Sequence, residues 1–254
     1  MKIFVVSHKP FDFPCASYYI PMKVGVSEER IAQNFVTDKD GDSISEKNPF
    51  YCELTAAYWL WKNSTDDIVG LVHYRRYFKG SKKYKEKIKV HDSAVICREE
   101  IIDLLNEYDI LVPKKRNYII SSIKRHYFNS HHEFDYNILR NEVFERHPDY
   151  IFDFDRIMHG TKINLYNMFV SKKSIIDKYF EWLFPILFSV ENKIPYQTYD
   201  HYQQRVFGFM AERLFNVWLH HNSRDFKIKY LSVVNVEGEM IFSKGISFLK
   251  KMIF

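Results

Sequence analysis

Two guanidinium groups and an imidazole follow an apolar run in DIVGLVHYRRYF, where His73, Arg75 and Arg76 come directly after residues 68–72. Burying one unpaired charge is costly. These groups therefore reach solvent at a strand end, or they meet an anion there. Arginine suits phosphate because its planar fork makes paired hydrogen bonds, and lysine adds a point charge. The pattern recurs: VVSHKPF puts His8 and Lys9 after a first strand, and LVPKKRNY puts Lys114, Lys115 and Arg116 after another. Three cationic strand ends converging on one sheet edge predict an anion site suited to a diphosphate. The alternative for each arginine is a structural ion pair with a carboxylate such as Glu53 or Asp109.

Other clusters carry weaker chemistry. HYFNSHHEFD gathers His126, His131, His132, Glu133 and Asp135 at a spacing that matches no standard metal pattern. Adjacent histidines beside acids suit hydroxyl recognition or proton transfer. Asp153 and Asp155 in FDFDR match the D-x-D that holds a divalent metal and a nucleotide diphosphate in many sugar transferases. Their surroundings have helical spacing, however, and no strand presents them at an edge. Arg205 and Glu212 stand seven apart, on one helix face, either as structural groups or as part of a site. No Walker A loop, GxGxxG or GxSxG is present, which counts against P-loop NTPases, dinucleotide enzymes and α/β-hydrolases.

The elements that must position these groups alternate. KIFVVSH, DIVGLVHY and DILVP are apolar runs with polar ends, read as strands, and FKIKYLSVVNV reads as a last strand. Asn48-Pro49 has the form of an N-cap and first helical position for one helix through FYCELTAAYWLWKN. Further helices are predicted at REEIIDLLNEY, before and across IFDFDRIMHG, over residues 175–190 with a bend or end near Pro185, and in QRVFGFMAERLFNVWLHHN. FKGSKKYKEKIKV lacks an apolar stripe and reads as a loop or exposed hairpin. This order is that of an α/β fold, in which ligands lie beyond the carboxyl ends of the strands.

A chain of 254 residues can bury a full core as one domain. The net charge of +5 admits anionic partners but falls short of a dedicated nucleic-acid binder, so no nucleic-acid partner is expected. Cys15, Cys52 and Cys97 lack CxxC spacing and point to a reducing cytoplasm. The first apolar run is too short for a signal peptide, and no run nears the roughly 20 apolar residues of a membrane span. The terminal SFLKKMIF either lies on an anionic membrane surface or packs on the domain.

VVSHKPF, GDSISEKNPFYCELTAAYWLWKN, DIVGLVHYRRYF, YDILVPKKRNY, NMFVSKK…EWLFPIL and QRVFGFMAERLFNVWL occur in this order over nearly the whole chain. Together they resemble a bacterial glycosyltransferase family, catalogued as a domain of unknown function and found in capsule, exopolysaccharide and O-antigen gene clusters. The resemblance implies a GT-A-like, Rossmann-like mixed sheet flanked by helices, with a helical C-terminal part. Residues 1–254 would form one domain, with 1–120 binding the nucleotide sugar and 121–254 facing the acceptor. The implied reaction moves a hexose, with galactose (pyranose or furanose) as candidate, from a UDP-sugar to a lipid-linked oligosaccharide at the cytoplasmic face of the inner membrane.

On that reading Arg75 and Arg76 hold the diphosphate, helped by Lys114 and Lys115, with His8, Lys9, Glu53 and His73 also on the donor side. His131, His132, Asn167 and Arg205 would build the acceptor side, and Asp135 or Glu212 would be the base. Residues 73–78 fall where a GT-A fold usually places its manganese- or magnesium-binding D-x-D. No acidic pair stands there, so the two arginines are expected to do the metal's electrostatic task. The rival readings are a non-catalytic sugar-nucleotide binder and a nucleic-acid-binding module.

Overall fold

The computed structural model describes residues 1–27 and 29–237. In chain order the elements are β1 (Lys2–Ser7), β2 (Tyr19–Lys23), β3 (Val36–Thr37), α1 (Asn48–Tyr51), α2 (Leu54–Asn63), β4 (Ile68–His73), β5 (Arg76–Phe78), β6 (Ile88–Val90), β7 (Ser93–Val95), α3 (Arg98–Glu107) and β8 (Ile110–Pro113). There follow β9 (Arg116–Asn117), α4 (Ile123–Phe128), α5 (Glu133–Arg146), α6 (Ile151–His159), β10 (Lys162–Ile163), β11 (Phe169–Lys172), α7 (Lys173–Glu191), α8 (Val206–His221), β12 (Ile228–Leu231) and β13 (Val233–Asn235). The central sheet has the order β12-β8-β11-β4-β1-β2-β3, with β5 and β13 extending from β4. Along that order β11 alone runs antiparallel to its neighbours, β4 and β8.

Both faces of the sheet are covered, which is why its strands read as continuous apolar runs rather than alternating ones. Phe4, Val6, Leu71, Val112 and Phe169 face a core shared with α2, α7 and α8. Ile3, Val5, Val72, Leu111 and Val170 face a second core with α3 and the β6–β7 hairpin. Gly70 lets β4 and β11 pack closely: a Cβ there would lie 3.0 Å from Val170 Cγ2 and 3.1 Å from the Phe169 carbonyl.

Three elements differ from the sequence expectation. The single helix predicted from Asn48 is broken at Cys52, which takes a left-handed φ of 52°. By contrast α7 runs unbroken through Pro185; one backbone bond is lost, but Leu183, Phe184, Ile186 and Leu187 are all buried beside it, and packing outweighs local propensity. The last strand is two: β12 pairs with β8, then the chain turns at Ser232 and β13 pairs with β5.

Candidate functional site

Strands β1 and β4 are parallel neighbours, so His8 and His73 emerge side by side at one sheet edge. His73 pairs with Arg76 across β4 and β5, which makes Tyr74 and Arg75 a two-residue hairpin loop. Opposite them, the break at Cys52 is held by Asn48 Nδ2 and Thr55 Oγ1, which donate to the Cys52 carbonyl at 2.8 and 3.1 Å. A left-handed non-glycine residue costs about 1–2 kcal/mol; here the turn aims Cys52 and Glu53 at the strand ends. Between them lies a cleft of about 590 Å³, lined among others by His8, Glu53, His73, Arg75, Arg76 and Glu212.

Arg76 stacks its guanidinium over the Tyr166 ring, 4.5 Å from the centroid. Its Nε is buried and has no hydrogen-bond partner among the described residues. Buried donors are nearly always paired, so an unpaired one calls for a partner such as a ligand or an ordered water; the Nε of Arg213 is in the same position. Arg75 is 41% exposed, with Nη1 3.4 Å from Glu237 Oε2. Lys9 Nζ lies 3.7 Å from the other oxygen of that carboxylate. A carboxylate thus already sits between two of the cations expected to hold phosphate.

The residues that enter β11 form the hub of the cleft. Tyr166 and Asn167 both have left-handed φ, 81° and 50°. His73 Nε2–H donates to the Tyr166 carbonyl at 2.6 Å, and the Tyr166 N–H donates to Glu212 Oε1 at 2.7 Å. Asn167 Nδ2 donates to Glu53 Oε1 at 2.7 Å and to the Gly208 carbonyl at 3.2 Å. Burial lowers the His73 pKa against the opposing charge of Glu53, with Arg76 and Arg75 adding to the effect, so the ring is neutral at pH 7. Burial likewise raises the Glu212 pKa, although Arg213, the Tyr166 N–H and Arg76 oppose it. Its side chain is 17% exposed and takes a 3.2 Å bond from Arg213 Nη1. The cleft therefore pairs an arginine with unused bonding capacity and a carboxylate whose proton is held unusually well.

A family model described as a domain of unknown function, DUF4422, matches residues 2–223. The chain belongs to this family. No curated protein matches it. Among solved structures it is similar to the apo structure of the bifunctional glycosyltransferase WbbM, at 34% identity and a TM-score of 0.80. That match covers 94% of this chain and 45% of the other, so the chain spans less than half of WbbM. The mixed sheet flanked by helices is the architecture they share.

Within this DUF4422 fold not every predicted residue reaches the cleft. Asp135 is wholly buried in the first turn of α5, where its Oδ1 accepts the Tyr199 hydroxyl at 2.6 Å. It packs inside the helical layer and is not among the residues that line the cleft. His131 packs 4.2 Å from the Phe209 ring and bonds through Nδ1 to Gln203 Oε1; burial brings its pKa down to about 4. His132 packs its ring 4.4 Å from that of Tyr199. Both histidines belong to this aromatic cluster rather than to the cleft lining. Lys114 and Lys115 also lie off it, because β11 separates β8 from β4; Lys115 Nζ sits over Tyr230 instead. Asn167 is buried; its Nδ2 is bonded to Glu53 and to the Gly208 carbonyl, while its Oδ1 has no partner among the described residues. Arg205 does line the cleft, with Nε 3.2 Å from Cys52 Sγ.

The suspected structural pairs are settled too. Asp109 takes Lys172 at 2.6 Å and Glu53 takes Asn167, so neither binds Arg75 or Arg76. The D-x-D is helical, as its spacing predicts: Asp155 pairs with Arg140 and Asp153 with His221. Cys52, Tyr166, His201 and Glu237 were not anticipated at the site. Only Tyr166-Asn167 carried a signal, since asparagine tolerates left-handed backbone. Among the described residues no three His, Cys, Asp or Glu side chains are grouped to hold a metal. The cleft carboxylates accept bonds from neighbouring donors, Glu53 from Asn167 and Glu212 from the Tyr166 N–H and Arg213. No helix among the described residues is long and apolar enough to cross a membrane, and the terminal SFLKKMIF lies outside the described residues.

Proposed function

We propose that this chain is a GT-A-like hexosyltransferase that moves a sugar, with galactose the candidate, from a UDP donor to a lipid-linked oligosaccharide in capsule, exopolysaccharide or O-antigen synthesis. The reading rests on one observation above the others: Arg76 offers a buried, unpaired Nε in a cleft at the sheet edge, next to Arg75, in a fold shared with a glycosyltransferase. As the sugar leaves, the diphosphate gains charge, and preorganised guanidinium donors stabilise it more in the transition state than in the ground state. His8 and Lys9 flank the nucleotide side. Glu212 is the base that takes the acceptor hydroxyl proton in an inverting transfer; its raised pKa brings it closer to the working pH, where general bases are most effective. Arg213 and the Tyr166 N–H hold that carboxylate in place. In the proposed division, residues 1–120 bind donor and residues 121–254 face acceptor, with Glu212 and Tyr166 brought from the second part.

The test is incubation with a panel of UDP-hexoses, with and without a lipid-linked acceptor mimic, scored by released UDP. Acceptor-dependent release that survives EDTA is expected. Release abolished by EDTA and restored by manganese would overturn the metal-free role of the arginines, and no release with any donor would overturn the enzyme reading.

A further inference from the structure

The loop between β9 and α4 exposes two isoleucines without an evident reason within the fold. Ile119 is 78% exposed and Ile120 67%. Ile119 also holds a φ of 61°, a left-handed backbone that is a genuine outlier for a β-branched residue. The Ile120 N–H bonds to the Tyr118 carbonyl at 2.7 Å across it, closing a three-residue turn. The turn is braced on both sides. Residues 116 and 117 pair with Ile163 and Lys162 in the β9–β10 ladder. Tyr118 N–H and Ile123 N–H bond to the carbonyls of Thr161 and Gly160, each at 2.8 Å. The fold thus presses an apolar tip outward on a rigid base.

Cations flank that tip along the chain and on the paired strand. Lys114, Lys115 and Arg116 precede it, Arg125 follows it, and Lys162 is on the paired strand; all five are exposed. Among the described residues none of the five forms an ion pair. Lys162 lies near enough that its charge, after burial, helps to depress the Lys115 pKa. Like charges flanking an exposed aliphatic tip repel each other unless something anionic neutralises them.

We propose that residues 114–125 dock the protein on an anionic lipid bilayer, with Ile119 and Ile120 inserted at the headgroup boundary and the cations on lipid phosphates. The charge pattern chooses this occupant. Single-stranded nucleic acid needs exposed rings on which bases can stack, whereas here the tip is aliphatic and Tyr118 is half-buried, stacked on His126 at 4.0 Å. An anionic surface attracts each such cation by about fivefold in partition, and inserted side chains add burial. This goes beyond the transfer reaction and does not rest on it: docking is a property of the loop whether or not a sugar moves.

Co-sedimentation of the full chain with vesicles tests it. Binding is expected to phosphatidylglycerol–phosphatidylcholine vesicles and to fall by an order of magnitude or more on pure phosphatidylcholine. I119S with I120S should reduce partition by about tenfold, and K114Q with K115Q should reduce it at low salt, while thermal melting of both variants stays near that of the parent. No binding by the parent chain would overturn the proposal. So would binding that the loop variants leave intact but deletion of residues 246–254 removes, or retention on single-stranded RNA that exceeds binding to vesicles.

Discussion

Replacing Arg76 by alanine separates a ligand-binding arginine from a structural one, because the two roles move stability and activity in different directions. In the free protein Arg76 contributes a cation–π contact with Tyr166 at 4.5 Å, worth about 0.5–2 kcal/mol. Against it stands the buried Nε without a partner, a penalty of about 1–3 kcal/mol. Removing the side chain removes both, so the net change in stability runs from a loss of about 1 kcal/mol to a gain of about 2.5 kcal/mol. For a chain of this size any melting loss is no more than about 4 °C. The donor-bound state loses far more. Deleting one preorganised donor to a developing anion costs about 10²–10³-fold in rate, and a cationic group on diphosphate is at the upper end of that range.

The assay is UDP release at varied donor, read as kcat/KM, beside a thermal melt of the same preparation. R76A should lose about 10²–10³-fold in kcat/KM with its melting temperature raised, or lowered by no more than about 4 °C. R76K keeps the charge but not the fork and should lose about tenfold. A kcat/KM within about threefold of the parent for both variants would refute the reasoning. A melting loss beyond about 8 °C in R76A would show instead that the arginine is structural and that its Nε is satisfied in solution.

E212Q should lower kcat by about 10²–10⁴-fold, the range for a general base, while leaving the fold intact. Glu212 has a folded pKa above its unfolded value because it is buried. Its protonated form therefore stabilises the fold below the unfolded pKa, and that contribution is lost as pH rises through the folded pKa. Denaturant melts should accordingly show E212Q gaining stability over the parent at pH 7 relative to pH 4. E237Q removes the carboxylate that Lys9 and Arg75 share; donor affinity by calorimetry should rise about two- to fivefold at low salt and converge with the parent in high salt, as exposed pairs do. N167A breaks the bonds to Glu53 and Gly208 and should cost about 1–3 kcal/mol in a denaturant melt.

What could be read from the sequence is what depends on local pattern. The apolar runs of β1, β4 and β8 and their polar ends were legible, and with them His8, His73, Arg75 and Arg76 as neighbours. Three things were not, each for a physical reason. The break at Cys52 uses a left-handed residue that is neither glycine nor asparagine, so no turn signal marks it, yet it turns Glu53 toward the cleft. Lys114 ends a strand on the same sheet edge as His73, but strand order is a tertiary property, and β11 stands between them. Asp135 and His131 have the residue types of a site but lie on a helix layer that buries them against Tyr199 and Phe209, and periodicity does not tell an inward polar group from a functional one.

The direction of β11 explains why the site centres on residues 166 and 167. Where all strands of a sheet run one way, one edge receives only their exits. Because β11 runs against β4, its entry arrives where β4 leaves. The register pairs Phe169 with Leu71; continued by two residues, it sets Asn167 level with His73. The Tyr166 carbonyl then meets His73, its N–H meets Glu212 on α8, and its ring meets Arg76 on the hairpin. One short segment thus ties the imidazole, the carboxylate and the guanidinium to each other, at the expense of two left-handed residues. Strain of this kind persists only where surrounding contacts over-determine it, and here those contacts are the groups assigned to the chemistry. It follows that Tyr166 should tolerate phenylalanine, which keeps the backbone bonds and the ring under Arg76. Insertion of one residue between Tyr166 and Asn167 should instead uncouple all three groups while leaving the sheet paired.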